Sequence, residues 1–120
     1  MPVDTQALLP AVCEIARKAG AAIMDVYQSD DFDIQSKADD SPLTRADLAS
    51  NEIIVERLRQ LDASVPVLSE ESRKAPYAER ARWSRYWLVD PMDGTKEFVK
   101  RSGEFTVNIA LVRSEERRVG

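Results

Sequence analysis

The sequence predicts a layered α/β fold, an α+β sandwich with two amphipathic helices packed on one side of a sheet. Two stretches, about 5–28 and 44–61, repeat apolar residues at three- and four-residue steps, the period of a helix with one buried face. Three apolar runs, 66–69, 86–90 and 104–112, have the length and flanking turn residues of strands. Two of these runs end in acids, Glu70-Glu71 and Asp90-x-x-Asp93. If those strands lie parallel and adjacent, four carboxylates meet at one sheet edge, where open α/β sheets place their ligands.

The first helix is carried by Leu8, Val12, Ile15, Ala16, Ala19, Ile23, Val26 and Tyr27. Asp4 or Thr5 can cap it, and Pro10 is tolerable only within the first turn or so. Gly20 is a mild internal cost or marks a close crossing. Cys13 falls near the stripe and is expected as a small core residue. The polar segment 30–40 contains Phe32-Asp33-Ile34-Gln35, a weak two-faced strand. Ser41-Pro42 then imposes an extended entry to the second helix. Thr44-x-x-Asp47 fits the capping-box pattern, with Asp47 also well placed for the helix dipole. Ala46, Ala49, Ile53, Ile54 and Leu58 continue that helix to about Leu61.

After a short turn at 62–64, Val65 to Leu68 forms a buried run ending in Ser69-Glu70-Glu71. On their own, two glutamates after a strand read as a solvated loop. Residues 72–84 form a charged connection with one helical turn at 77–82, and Trp83 and Trp87 are expected to pack rather than to stack on a ligand. Tyr86 to Val89 is the next buried strand, and Pro91, lacking an N–H, is expected to stop it at Asp90. Gly94 allows a turn or a close approach, and Thr95 stands where the exposed amides of a helix start would hold an anion. That helix should close over Phe98 to Arg101. Ser102-Gly103 turns the chain into a last strand whose core side is Phe105, Val107, Ile109 and Leu111.

Composition narrows the chemistry. One domain at most fits 120 residues, and a formal net charge of −4 speaks against a nucleic-acid polymer as partner. No apolar run approaches 18 residues, so no transmembrane helix is expected, and no secretory signal is visible. The absence of histidine excludes Ser-His-Asp, Cys-His and His-ligated zinc chemistry within the chain, and the single cysteine excludes an internal disulfide. Carboxylates, hydroxyls, lysines and metals remain. Asp90 and Asp93 can converge on one point, and two carboxylates that close repel unless a proton or cation lies between them. Hard oxygen ligands at a sheet mouth suit Mg²⁺.

Asp90-Pro91-Met92-Asp93-Gly94-Thr95 with Phe98 resembles the D-P-x-D-G-T-x-x-F signature of the inositol monophosphatase superfamily, the Mg²⁺-dependent, lithium-sensitive phosphomonoesterases. Lys96-Glu97 inside that string, and Arg101-x-Gly103-Glu104-Phe105-Thr106-Val107-Asn108 after it, are similar to the 3'(2'),5'-bisphosphate nucleotidase branch. The segment from Lys37 to Asp47 is similar to the family's K-x-D-x-S-P-x-T-x-A-D, and Leu68 to Glu71 to its acidic segment.

The resemblance, which runs from about residue 7 to residue 112, implies the N-terminal half of an α-β-α-β-α sugar-phosphatase fold. It implies two or three Mg²⁺ ions held by Glu70, Asp90, Asp93 and the Met92 carbonyl, with Glu71 in a supporting place. Asp47 and Thr95 would orient the attacking water, while Glu70, Met92, Asp93, Gly94 and Thr95 would meet the substrate. The implied reaction converts 3'-phosphoadenosine 5'-phosphate to AMP and phosphate. Lys96, Lys100 and Arg101 cluster after the turn, available to a second phosphate or to a helix C-terminus. Inositol 1-phosphate, a fructose-1,6-bisphosphatase-like activity, and a non-catalytic remnant stay open as alternatives. The implied setting is cytoplasmic, with a peripheral position at the inner face of the plasma membrane also open. Residues 113–120 are expected as a polar tail outside the fold of 1–112. The chain reads as the N-terminal part of a longer enzyme, inactive or nearly so alone. In the family the second half supplies a further Asp ligand and much of the nucleoside pocket, and an oligomer could form through it.

Overall fold

The computed structural model describes residues 5–29, 31–37, 42–72 and 74–113. Its elements are α1 (Thr5–Tyr27), β1 (Gln35–Ser36), β2 (Pro42–Leu43), α2 (Arg45–Leu61), β3 (Val67–Ser69), α3 (Tyr77–Arg80), β4 (Arg85–Asp93), α4 (Thr95–Val99) and β5 (Thr106–Arg113). The main sheet runs β3-β4-β5, with β3 parallel and β5 antiparallel to the central β4. β1 and β2 make a separate two-residue ladder.

Both long helices lie on one face of the main sheet, as their stripes require. Ile15 and Ala19 of α1 and Ile54 and Leu58 of α2 pack on Trp87 and Val89 of β4, with Val107, Ile109 and Leu111 of β5 beside them. A second cluster joins the end of α1 to the signature: Ile23, Val26 and Phe32 meet Ala46, Met92 and Phe98. Phe98 is fully buried, 4.6 Å from the Phe32 ring and 5.3 Å from that of Phe105. The carboxylate turn is thus bolted to the core by its own apolar residues. Trp87 is buried and Trp83 packs against Tyr86, so both tryptophans serve packing. On the other face of the sheet Leu88 is exposed.

Several local expectations are corrected. Cys13 is exposed rather than in the core, because the buried stripe passes through Ile15 and Ala19 and leaves position 13 on the outer side. Pro10 lies in the second turn of α1, and the helix runs through it. Residues 32–34 are not a strand: Asp33 takes a left-handed φ of 48° and its N–H turns back to Asp31 Oδ1, so pairing starts only at Gln35. Pro91 does not end β4. Three steps along β4, Asp90 to Asp93, match two along β5, Asn108 to Thr106, so β4 carries one extra residue there. Pro91 falls inside this bulge, where the ladder asks for no N–H. Arg113 belongs to β5, opposite Arg85, not to a tail. Asp4, Ala38 to Ser41 and the tail positions 114–120 lie outside the described residues.

Candidate active site

The register of β3 on β4 sets the site. Ser69 stands opposite Val89, and the Glu70 N–H donates to the Val89 carbonyl at 3.2 Å, so Glu70 leaves its strand beside Asp90. Burial pushes the Asp90 carboxyl above the usual range, and the charges of Asp93 and Glu70 push it further. The Met92 N–H and the Lys37 ammonium pull the other way. Glu70, Asp90, Met92, Asp93, Gly94 and Thr95 line one open cleft together with Lys37, Lys96 and Glu97.

Asp47 sits behind this cleft, 1% exposed. Its Oδ2 accepts from the Thr44 N–H and the Thr44 hydroxyl, both at 2.8 Å, and so completes the capping box of α2. Its Oδ1 accepts from the Thr95 hydroxyl at 2.9 Å. The cap and the link to Thr95 coexist in one side chain. The backbone of Gly94 takes φ 97°, and a Cβ there would stand 2.6 Å from the Glu104 carbonyl oxygen. Glycine is needed twice over, for the left-handed turn and for the close pass of the 104–105 backbone.

Glu71 lines the same cleft as Glu70 but is engaged in an ion pair. Its carboxylate is 6% exposed and paired with the Lys37 ammonium. Burial lowers the Lys37 pKa, but the hydrogen bond and charge of Glu71, with Asp47 and Glu70 nearby, outweigh it and leave the ammonium above its usual value. Lys37 was legible only as the first letter of the segment leading to Asp47. Arg101 does not face the cleft: its guanidinium donates to the Tyr27 and Ser29 carbonyls at the end of α1 and lies over the Phe32 ring. It serves the C-terminus of α1 rather than a substrate phosphate.

Among the described residues no three acidic side chains are already gathered as a metal cage. The donor set nonetheless fits a hard divalent cation. Glu70, Asp90 and Asp93 all line one cleft, and Asp90 is crowded by the other two negative charges, a repulsion that a cation would relieve.

The sequence profile of the Inositol monophosphatase family matches residues 4–120. The chain belongs to the inositol monophosphatase family. It is 57% identical over 106 residues to the 3'(2'),5'-bisphosphate nucleotidase CysQ of Escherichia coli K12, covering 88% of this chain and 43% of that protein. Among solved structures, CysQ from Bacteroides thetaiotaomicron superposes with a TM-score of 0.73 at 50% identity, over 90% of this chain and 38% of that one. The extragenic suppressor protein SuhB from Bartonella henselae superposes with a TM-score of 0.77 at 26% identity, over 89% of this chain and 40% of that one. The chain therefore spans less than half the length of these relatives. The family is metal-dependent, in keeping with the donor set. No helix among the described residues is long and apolar enough to cross a membrane.

Proposed function

We propose that this chain carries the carboxylate and water-orienting part of a Mg²⁺-dependent 3'(2'),5'-bisphosphate nucleotidase that converts 3'-phosphoadenosine 5'-phosphate to AMP and phosphate in the cytoplasm. The observation that carries the reading is the meeting, at one cleft, of Glu70, Asp90 and Asp93 with the Thr95–Asp47 pair. The similarity to CysQ proteins, named as bisphosphate nucleotidases, favours the nucleotide over inositol phosphates.

In this reading Glu70, Asp90, Asp93 and the Met92 carbonyl would hold Mg²⁺, which would supply positive charge for the phosphoryl oxygens and make the attacking water more acidic. The remaining work belongs to the chain. The Thr95 hydroxyl donates its hydrogen bond to Asp47, which leaves the oxygen's lone pairs free to accept from the attacking water. Asp47, buried behind the cleft, fixes that orientation, and when Oγ1 takes a proton from the water the hydroxyl's own proton passes to Asp47 Oδ1. The N–H groups of Gly94 and Thr95 are available to phosphate oxygens, and Lys96, on the cleft wall, adds a cation for a substrate with two phosphates.

The test is the ratio of kcat/KM for 3'-phosphoadenosine 5'-phosphate over inositol 1-phosphate, measured on the full-length protein with Mg²⁺, because that ratio reports differential transition-state binding. A ratio well above one, with inhibition by Li⁺, is expected. A ratio at or below one moves the protein to inositol or sugar phosphates with the same metal residues. No turnover of either substrate points to a non-catalytic protein.

A further inference from the structure

One turn of α2 reaches three separate segments of the site. Asp47, Ser50 and Asn51 stand at positions i, i+3 and i+4, which share a helix face. Asp47 holds Thr95 at the start of α4. Ser50, fully buried, donates its hydroxyl to the Pro91 carbonyl at 2.7 Å, inside the β4 bulge. Asn51 grips both sides of the acidic turn: its Nδ2 donates to Ser72 Oγ at 3.1 Å, and its Oδ1 accepts from the buried Ser69 hydroxyl. Ser69 Oγ also accepts from the Glu71 N–H at 3.4 Å, which ties the turn back on itself. Farther down the helix the same face becomes apolar, with Ile54 and Leu58 in the core.

Satisfaction of buried polar groups alone does not demand this arrangement. A serine within a helix commonly bonds back to the carbonyl four residues earlier. Ser50 instead bonds 41 residues away, and Asn51 bonds 18 and 21 residues away. Each goes to a different segment that carries candidate ligands, Pro91 lying between Asp90 and Asp93, and Ser69 and Ser72 flanking Glu70-Glu71.

We propose that Ser50 and Asn51 are positioning residues, a polar ruler on α2 that fixes the Glu70 turn relative to the Asp90–Asp93 bulge. The inference rests on the metal-dependent phosphatase reading given above and names residues which that reading leaves out. Neither side chain touches the reacting atoms. Both act through the backbone that presents the carboxylates, in the way that outer partners orient metal ligands.

The test uses the full-length protein and four variants: Asn51→Ala, Ser50→Ala, Ser50→Thr and Ser72→Ala, with Gln60→Ala on the exposed side of α2 as control. Amide hydrogen exchange is read without metal, Mg²⁺ affinity by calorimetry, and kcat and KM on the nucleotide. Asn51→Ala and Ser72→Ala should speed exchange at 69–72 only, and Ser50→Ala at 90–93 only. Asn51→Ala should weaken Mg²⁺ by about tenfold and lower kcat with KM little changed. Ser50→Thr should restore what Ser50→Ala loses, and Gln60→Ala should match wild type. Should Asn51→Ala fail to fold, Ser72→Ala decides, since it removes only the turn-side partner. Unchanged exchange in both segments, or faster exchange with wild-type Mg²⁺ affinity, overturns the proposal. A wild-type protein that binds Mg²⁺ but spares the nucleotide overturns the substrate reading instead, and leaves the exchange and calorimetry to decide this one.

Discussion

The Thr95 hydroxyl meets the Asp47 carboxylate at 2.9 Å across 48 residues of sequence, joining the first residue of α4 to the first turn of α2. Because Asp47 also closes a capping box, its two duties can be separated by substitution. Thr95→Val leaves the cap intact but removes the hydroxyl's bonds to Asp47 and, at 3.5 Å, to the Met92 carbonyl, leaving the buried Asp47 Oδ1 without that donor, so stability should fall by about 1–3 kcal/mol. The kcat should fall by about 10² or more, the usual worth of a positioned proton acceptor. Asp47→Ala should lower kcat similarly and cost about 1–2 kcal/mol for the cap. Urea unfolding beside steady-state kinetics checks both. Near-normal kcat in Thr95→Val would remove Thr95 from the water-orienting role.

Asp90→Asn and Asp93→Asn should abolish Mg²⁺-dependent turnover in the full-length protein while leaving the far-ultraviolet circular dichroism unchanged. Asp90 is crowded by Asp93 and Glu70, so neutralising it removes repulsion from the metal-free protein. The metal-free Tm of Asp90→Asn should therefore equal or exceed that of wild type. A variant that keeps wild-type turnover would refute the assignment of these two residues as ligands.

Gly94→Ala should destabilise the fold by roughly 1–3 kcal/mol, because it forces a side chain into a left-handed backbone as well as against the Glu104 carbonyl. Gly20 offers a contrast in the same measurement. It sits in α1 with nothing within 4 Å of an added Cβ, so Gly20→Ala should stabilise the protein by up to about 1 kcal/mol.

At the end of α2 the Ser64 hydroxyl and N–H donate to Asp62 Oδ1 at 2.6 and 3.0 Å, and these bonds hold the Asp62 carboxyl below its usual range. The folded state thus favours the charged form. The stability it contributes is present above the unfolded carboxyl pKa and is lost as pH falls through the folded one. Nuclear magnetic resonance titration of the Asp62 carboxyl should show the lowered value in wild type, and Ser64→Ala should move it back toward the ordinary one.

The helices were readable because their apolar spacing is local information. The Thr44–Asp47 cap was readable for the same reason, and the grouping of Glu70 with Asp90 followed once two acid-tipped strands were taken as parallel neighbours. What the sequence hid depends on partners distant in the chain. Arg101 looks like a spare cation after the carboxylate turn, and only the fold shows the end of α1 waiting for it. Cys13 follows Val12 on the helical wheel by about 100°, enough to leave the buried stripe. Ser50 and Asn51 carry no pattern at all, since a polar residue in a helix reads as surface until its distant partners are known. Pro91 misled because a missing N–H ends a ladder only where the ladder is regular.

The irregularity at Pro91 also decides which way the signature's acids point. In an even strand, residues three apart face opposite sides. Here Val89, Pro91 and Met92 are buried, while Asp90 is half-buried and Asp93 exposed, so two successive inward residues reverse the parity and return both acids to the same side. If the strand slipped by one residue to a regular register, Met92 would turn to solvent and Asp93 would turn in toward Ala46 and Phe98. An unpaired carboxylate in such a pocket is disfavoured by several kcal/mol. Hydrophobicity and charge therefore oppose the same slip, and the extra residue is trapped where it lies.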